Sequence, residues 1–301
     1  MSTADLVRKF LPADVVASLV RAKKKLKRAR VSRLPILSEQ AFESILANNL
    51  GLVSGDTVYV HSSVDQLNIE FPFYRILPLI QNSIGPEGTI LFPTYPNRSP
   101  VSSYEYLKQG NVFDVRRTPS FTGLITEFAR RHRNAIRSLH PTKSVCAIGP
   151  KADFLTATHQ RSPYPYDKCS PYRKLVDCDA KIIGIGVHTT YLSFVYCVDD
   201  ELKESNPVQT YYPEILAARC INSEGTEEVV HTYAHDMRRC VHDIPRFIKQ
   251  QIPSDICADL NINGMKFFRG KARPLFEVML DLAKQGVTVY PKSVYRDLTV
   301  K

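Results

Sequence analysis

The sequence predicts an α/β (α+β) fold, in which helices flank a mixed sheet that is parallel at its centre and more antiparallel toward the C-terminus. Apolar runs at residues 57–60 and 89–92 enclose a helical pattern at 74–83. Strand, helix and strand joined by short links are typical of a parallel sheet covered by helices. Beyond residue 201 the apolar residues alternate, as at 209–212 and 215–221, which indicates antiparallel strands.

The remaining elements follow from local patterns. Ser38 precedes a helical pattern that runs to about residue 48, and serine is a favoured N-cap. Apolar runs at 145–148 and 182–185 predict two further central strands. A helix predicted at 123–133 would bury one face made of Leu124, Ile125 and Phe128.

Length and composition favour one large domain over residues 34–301, or two packed lobes that meet near residue 200. A chain of 301 residues with 44% hydrophobic content can bury a substantial core. The sequence has no run of roughly 18 apolar residues and no secretory signal pattern, so we expect a cytoplasmic protein. Its seven cysteines contain no CxxC pair, which favours reduced thiols over disulfides or a zinc site.

Most of the positive charge lies in residues 1–33, which we call the N-terminal arm. The arm holds ten Lys or Arg and two Asp, a net charge of +8 within a total of +10. Its apolar spacing predicts an amphipathic helix with a cationic second half. Such a helix suits a solvated extension, a contact in a homo-oligomer, or peripheral attachment to an anionic membrane. Nucleic-acid binding is not expected, because no aromatic platform or recognition motif accompanies the charge.

Several short motifs lie at predicted turns. They are VHSS at 60–63, GPEGT at 85–89, TPSFTG at 118–123, RSLHPTKS at 137–144 and SPY at 170–172. Together they resemble the aminoglycoside 3-N-acetyltransferase family, over roughly residues 40–300 and most strongly from 118 to 186. The resemblance implies an enzyme that transfers acetyl from acetyl-CoA to an amine and needs no metal.

The resemblance also implies a set of residues that bind coenzyme A. They are His61, Ser62, Ser63, Ser120, Arg137, Ser138, Ser144 and Ser170. The first three follow a strand, where backbone amides suit an anion such as a phosphate. Relatives usually carry an arginine after the TPS serine, and Phe121 stands there in this chain. That phosphate contact is therefore absent, or a neighbour such as Arg116 or Arg117 supplies it.

The family's catalytic histidine and glutamate match Tyr196 and Asp199 in this chain. The i, i+3 spacing keeps both side chains on one helical face. A phenol with an ordinary pKa near 10 is a poor base at neutral pH, so Tyr196 would instead donate a hydrogen bond to the oxyanion or protonate the thiolate. The base would then be Asp199, His188 in the preceding turn, or His140 acting through water.

We therefore expect an acetyl-CoA-dependent N-acetyltransferase in which the amine of an amino sugar attacks the thioester in a ternary complex. The nearly neutral body favours a nucleotide-linked amino-deoxy sugar of a surface-polysaccharide pathway over a polycationic antibiotic. Two alternatives stay open, an aminoglycoside 3-N-acetyltransferase and a catalytically retired member that binds coenzyme A or a protein partner. His231, His235 and His242 show no convincing ligand spacing, so no metal is expected. Removal of the arm is expected to leave acetyl transfer intact.

Overall fold

A computed structural model describes residues 13–98 and 101–291. The strands are β1 (Thr57–Ser62), β2 (Thr89–Pro93), β3 (Phe113–Asp114), β4 (Ile136–Arg137), β5 (Val145–Ile148), β6 (Lys181–Ile185), β7 (Leu216–Ile221), β8 (Glu227–Thr232), β9 (Cys257–Ile262) and β10 (Met265–Lys271). The helices are α1 (Ala13–Val31), α2 (Glu39–Ser44), α3 (Ile76–Ile84), α4 (Ser103–Lys108), α5 (Leu124–Arg130), α6 (Ala152–Thr156), α7 (Pro171–Asp177), α8 (Tyr196–Leu202), α9 (Ile244–Gln251) and α10 (Ala272–Lys284).

The main sheet has the strand order β4-β5-β2-β1-β6-β10-β9. Strand β1 is parallel to both of its neighbours, β2 and β6, whereas β4, β5, β9 and β10 pair antiparallel. The predicted mixed sheet with a parallel centre is confirmed. Because β9 and β10 come from the C-terminal part, the sheet takes strands from both sides of residue 200.

The central strand β1 is buried on both faces, so it anchors two hydrophobic cores. Tyr59 packs in one core with Leu91 and Ile182, and Val58 and Val60 pack in the other. Alternate side chains of a strand point to opposite faces of the sheet, which explains this division. A strand covered on both faces reads as a continuous apolar run, as residues 57–60 do.

A second sheet, β3-β7-β8, packs around a smaller core. Strands β7 and β8 pair antiparallel over their full length, which confirms the prediction for residues 215–221. Residues 209–212 form no strand and contribute one bridge, between Tyr211 and His235. This bridge brings His235 close to the residues that follow α8.

Two local predictions had different outcomes. The Ser38 hydroxyl accepts a hydrogen bond from the Ala41 amide at 3.1 Å, so the predicted N-cap is confirmed. The predicted buried face of α5 is wrong in part, because Leu124 is 63% exposed and Phe128 is 41% exposed. Ile125 is buried as predicted, together with Thr126 and Ala129. The buried face of this short helix is therefore made of Ile125, Thr126 and Ala129.

The arm forms helix α1 from residue 13 onward, and its first twelve residues lie outside the described part. Lys27 Nζ lies 3.1 Å from Asp65 Oδ2, and Asn68 Nδ2 donates a hydrogen bond of 2.6 Å to the Leu34 carbonyl. The apolar side chains of Leu19 and Leu26 are exposed. Attachment to an anionic membrane stays a prediction. Among the described residues, no helix is both long and apolar enough to cross a bilayer.

Gly184 in β6 provides a test of the central packing. A Cβ at this position would overlap the ring of Phe268, which is fully buried in the adjacent strand β10. We expect Gly184→Ala to lower the free energy of unfolding by about 1–3 kcal/mol in urea denaturation, because overpacking displaces core side chains. Gly270→Ala in β10 is the control, since its Cβ meets Cys257 Sγ at 3.3 Å and should cost less. Equal losses for the two variants would contradict this packing.

Candidate active site

A cleft of about 610 Å³ lies where β1 and β2 end and the chain leaves β6. In open α/β sheets, ligands bind beyond the carboxyl ends of the parallel strands. The residues that line it include Arg28, His61, Ser62, Ser63, Tyr95, Phe121, Thr122, Tyr191 and Ser193. Three of the eight predicted cofactor residues are therefore in the cleft, at the end of β1.

His61 is the most distinctive polar group of the cleft. It is 5% exposed, its ring packs at 4.6 Å from the ring of Tyr59, and its Nε2 atom has no hydrogen-bond partner among the described residues. Burial lowers its pKa to about 3, so the imidazole is neutral at pH 7. Buried polar atoms normally have a partner, so this nitrogen indicates a ligand or water in the cleft.

Ser62 and Ser63 form the turn that follows His61. The Ser63 amide donates to the Ile185 carbonyl at 2.9 Å, and its hydroxyl donates to Asp65 at 2.5 Å. Gly186 has a φ of +71°, and a Cβ there would overlap the Ser63 carbonyl oxygen. Glycine is required because the two turns approach so closely. The turns after β1 and β6 thus form one wall of the cleft.

Four of the other predicted cofactor residues form hydrogen bonds within the protein and do not line the cleft. The Ser138 hydroxyl donates to His159 Nδ1 at 2.8 Å, and Ser170 caps α7 by accepting from the Arg173 amide. Arg137 donates to the carbonyl oxygens of Thr94 and Thr118, both at 2.5 Å. The Ser144 hydroxyl also donates to the Thr94 carbonyl. These groups hold the cleft-bearing loops and do not line the cleft, so their direct contact with a cofactor stays a prediction.

The fifth, Ser120, belongs to a buried network at the start of α5. Its hydroxyl lies 2.8 Å from that of Thr122, and its amide donates to Glu127 at 2.8 Å. Glu127 also receives hydrogen bonds from Arg130 and Arg131 at 2.7 Å. Thr122 lines the cleft and Ser120 does not, so Ser120 positions a cleft residue.

Tyr196 and Asp199 lie on one face of α8, but no hydrogen bond joins them. The Tyr196 hydroxyl lies 2.8 Å from Nε2 of His242. Asp199 accepts hydrogen bonds from Tyr290 and from Asn206. An imidazole is thus present beside Tyr196, the residue that the resemblance matches to the family's histidine, and it comes from a segment 46 residues further along the chain.

Burial sets the protonation states of this group. It raises the pKa of Tyr196 well above 10, with smaller contributions from Cys240, Asp199 and Tyr95. It lowers the pKa of His242, so this imidazole is neutral at pH 7 and can accept a proton. Burial also raises the pKa of Asp199 to about 7, although its two hydrogen bonds oppose this shift. The protonated phenol therefore donates to the neutral imidazole.

A cluster of phenols connects Tyr196 to the cleft. Tyr95 lines the cleft, and its hydroxyl lies 2.8 Å from that of Tyr172. The Tyr166 ring lies 5.2 Å from that of Tyr196, and its buried hydroxyl has no partner among the described residues. Lys143 Nζ lies 5.1 Å from the centre of the Tyr95 ring, and burial lowers its pKa to about 8. The rings of Tyr166 and Tyr172 lie 4.5 Å apart, so ring and hydroxyl contacts run from the cleft-lining Tyr95 to Tyr196.

The two other predicted catalytic histidines are not assembled with Tyr196. His140 is fully buried, and its Nδ1 accepts hydrogen bonds from the amides of Thr142 and Lys143. Its Nε2 lies 3.2 Å from the Thr232 hydroxyl, so neither nitrogen is free to act as a base. His188 caps the turn Thr189–Tyr191. A catalytic role for either histidine stays a prediction without a supporting contact.

The structure adds three candidate residues that the sequence analysis did not assign to the site. They are His242, Tyr95 and Arg98. Tyr95 gave no signal because it is isolated in sequence from the motifs it contacts, and His242 was a candidate only for a metal site without convincing spacing. For Arg98 the signal is indirect, since the missing arginine at Phe121 predicts a replacement. Arg98 does not line the cleft, and neither do the expected replacements Arg116 and Arg117, but its guanidinium lies 4.6 Å from the centre of the Phe121 ring, which does.

A model of the aminoglycoside 3-N-acetyltransferase family matches residues 59–282. The chain belongs to this family. It is 30% identical over 151 residues to aminoglycoside N(3)-acetyltransferase III of Acinetobacter baumannii, a match covering 46% of this chain and 51% of that protein. It is 26% identical over 161 residues to aminoglycoside N(3)-acetyltransferase VII of Streptomyces paromomycinus, covering 49% and 55%. The matches thus span about half the length of these relatives.

Solved structures share the fold over most of the chain. The crystal structure of aminoglycoside acetyltransferase AAC(3)-Xa superposes with a TM-score of 0.70 and 18% identity, covering 89% of this chain and 99% of that chain. The binary complex of AAC-IIIb with CoASH gives a TM-score of 0.66 and 18% identity, covering 85% and 100%. At these identities the comparison establishes the fold of the family member described here.

Glu127 allows a test of the network that positions Thr122. Burial alone would raise its pKa, but hydrogen bonds from Arg130, Ser120 and Arg131 lower it to about 2. A carboxyl with a lowered pKa stabilises the fold above its ordinary pKa of 4.5, and this contribution is lost as pH falls toward 2. We expect Glu127→Gln to lower the free energy of unfolding by about 1–2 kcal/mol at pH 7. In urea denaturation, the difference in the free energy of unfolding between the variant and the unaltered protein should shrink as the pH falls from 4.5 to 2. A constant difference would contradict the role of this charge.

Proposed function

We propose that this protein is an acetyl-CoA-dependent N-acetyltransferase that acetylates an amine of an amino sugar. The observation that carries the proposal is the hydrogen bond between the Tyr196 phenol and the neutral imidazole of His242. Contacts through Tyr166 and Tyr172 join this pair to Tyr95, which lines the cleft. Family membership indicates acetyl transfer to an amine. The pair of Tyr196 and His242 offers a base although the family's own histidine is replaced by Tyr196. The retired-member alternative is less favoured for that reason.

The cleft fits the extended shape and the polar groups of coenzyme A. Its volume of about 610 Å³ lies within the range of small-molecule sites. The unpartnered His61 Nε2 and the turn of Ser62 and Ser63 offer hydrogen bonds to phosphate or amide groups. In the orientation we propose, the phosphates lie at this turn and the thioester reaches inward toward Tyr95 and Tyr196.

The proposed proton transfer uses both members of the pair. The amine nitrogen attacks the thioester carbonyl, which forms the C–N bond and later breaks the C–S bond. Tyr196 accepts the amine proton as it passes its own proton to His242 Nε2, and His242 then returns a proton to the departing thiolate through Tyr196. A phenol with a raised pKa can relay a proton in this way without being ionised beforehand, since the neutral imidazole is the base.

The acceptor side is a second cleft of about 340 Å³, which reaches Asp199. Four tyrosines line it, Tyr164, Tyr211, Tyr212 and Tyr233, and aromatic faces suit the apolar faces of sugar rings. It contains Glu204 as well as Lys203 and Arg239, so its charge does not select strongly for a polycation. The names of the relatives favour an aminoglycoside amine as acceptor. They do not support the nucleotide-linked sugar that the charge of the body suggested.

A thiol-release assay tests the proposed activity. With acetyl-CoA we expect release to depend on an aminoglycoside in a panel that also contains nucleotide-linked amino sugars. Release with none of these acceptors, under conditions where acetyl-CoA binds, would refute the enzymatic proposal. Release only with a nucleotide-linked sugar would overturn the choice of acceptor and keep the reaction.

The role of His242 gives a sharper prediction. We expect His242→Ala to lower kcat by about 10²-fold, which is typical for loss of a general base, while the affinity for coenzyme A stays unchanged. Because the pKa of His242 is lowered, kcat should fall on the acidic side only below pH 6.5, and this limb should disappear in the variant. His231→Ala is the control, since His231 is exposed on β8. Equal kcat values for the His242 and His231 variants would contradict the relay.

A further inference from the structure

The N-terminal arm borders the coenzyme A cleft. Arg28 in the last turn of α1 is one of the cleft-lining residues. The neighbouring Lys27 pairs with Asp65 of the turn that follows Ser63. The chain after α1 is fixed by the hydrogen bond from Asn68 to the Leu34 carbonyl. The end of the arm is therefore attached at the cleft from two sides.

A second cation, Arg98, lies against Phe121, the residue that the resemblance matches to an arginine of relatives. The guanidinium carbon of Arg98 lies 4.6 Å from the centre of the Phe121 ring, and Phe121 lines the cleft while remaining 42% exposed. A guanidinium placed over an aromatic face is oriented by it and keeps its N–H groups available. Phe121 thus supports an arginine from another loop in place of supplying a charge itself.

Neither cation is neutralised by the described residues. No carboxylate lies within 4.0 Å of the guanidinium of Arg28 or Arg98 in the described part of the chain. Asp65, the acidic residue of the cleft lining, is already paired with Lys27. The body of the protein is nearly neutral, so these arginines would dominate the local charge. Guanidinium groups bind phosphate by paired, charge-assisted hydrogen bonds.

We propose that the arm is part of the cofactor site: Arg28, together with Arg98 held on Phe121, binds the phosphates of coenzyme A. This inference rests on the proposed function, because it assigns the phosphates to the cleft. It also replaces the expectation that the arm is dispensable for transfer. The basic arm then has a role in recognition that does not require a membrane.

The affinities of coenzyme A and pantetheine, measured by calorimetry at low salt, test the inference. Pantetheine lacks the phosphates and the adenosine of coenzyme A and keeps its thiol-bearing chain. We expect Arg28→Ala to weaken coenzyme A binding about fivefold, in line with an exposed charge pair, and to leave pantetheine binding unchanged. The double variant, Arg28→Ala with Arg98→Ala, should bind coenzyme A more weakly still. Added salt should reduce the difference in coenzyme A affinity between these variants and the unaltered protein.

Arg30→Ala is the matched control, because Arg30 lies in the same helical turn, is exposed and does not line the cleft. Equal affinities of the Arg28→Ala variant and the Arg30→Ala variant for coenzyme A would overturn the inference. So would an Arg28→Ala variant that loses as much affinity for pantetheine as for coenzyme A. If the unaltered protein does not bind coenzyme A, both the inference and the proposed function fail. If it binds coenzyme A as described here but transfers no acetyl group, only the proposed function fails.

Discussion

The position of β1 between two parallel neighbours is the constraint on which the site depends. Its pairing with β6 sets Ser62 opposite Ile185, so the turns after both strands reach the same edge of the sheet. Gly186 lets these turns touch, and His61 lines the resulting cleft with a buried nitrogen that has no partner among the described residues. A change of register by one residue would move His61 to the other face of the sheet. The cleft is thus a consequence of strand pairing.

The segment that we propose as catalytic keeps the i, i+3 spacing that the resemblance implies, with different chemistry. Tyr196 and Asp199 occupy one face of α8, but each has found a separate partner, His242 and Tyr290. Burial keeps the phenol protonated and the imidazole neutral, which is the combination that a proton relay needs. In the proposed relay, His242 from the C-terminal part serves as the base in contact with Tyr196. The motif serines around the cleft act mainly by holding its loops.

The fold was more predictable from the sequence than the site. Residues 57–60 and 89–92 identified the parallel centre because buried strands read as continuous apolar runs. The His-Ser-Ser turn follows β1 as predicted, since strand ends are local features, and it lines the cleft. Its contact with coenzyme A stays a prediction. Ser138, Ser144 and Ser170 match a motif, but no local pattern reveals that their hydroxyls are used internally. His242 and Arg98 reach the site through long-range packing, which a motif in one segment does not encode.

A crystal structure of the protein with coenzyme A tests the cofactor site and the proton relay together. We expect phosphates at the turn of Ser62 and Ser63 near Arg28, and the thiol within hydrogen-bond reach of the Tyr196 hydroxyl. A separate cleft lined by Arg116, Arg130 and Arg131 offers an alternative basic surface. Phosphates bound there, with the thiol remote from Tyr196 and His242, would contradict both the cofactor site and the relay.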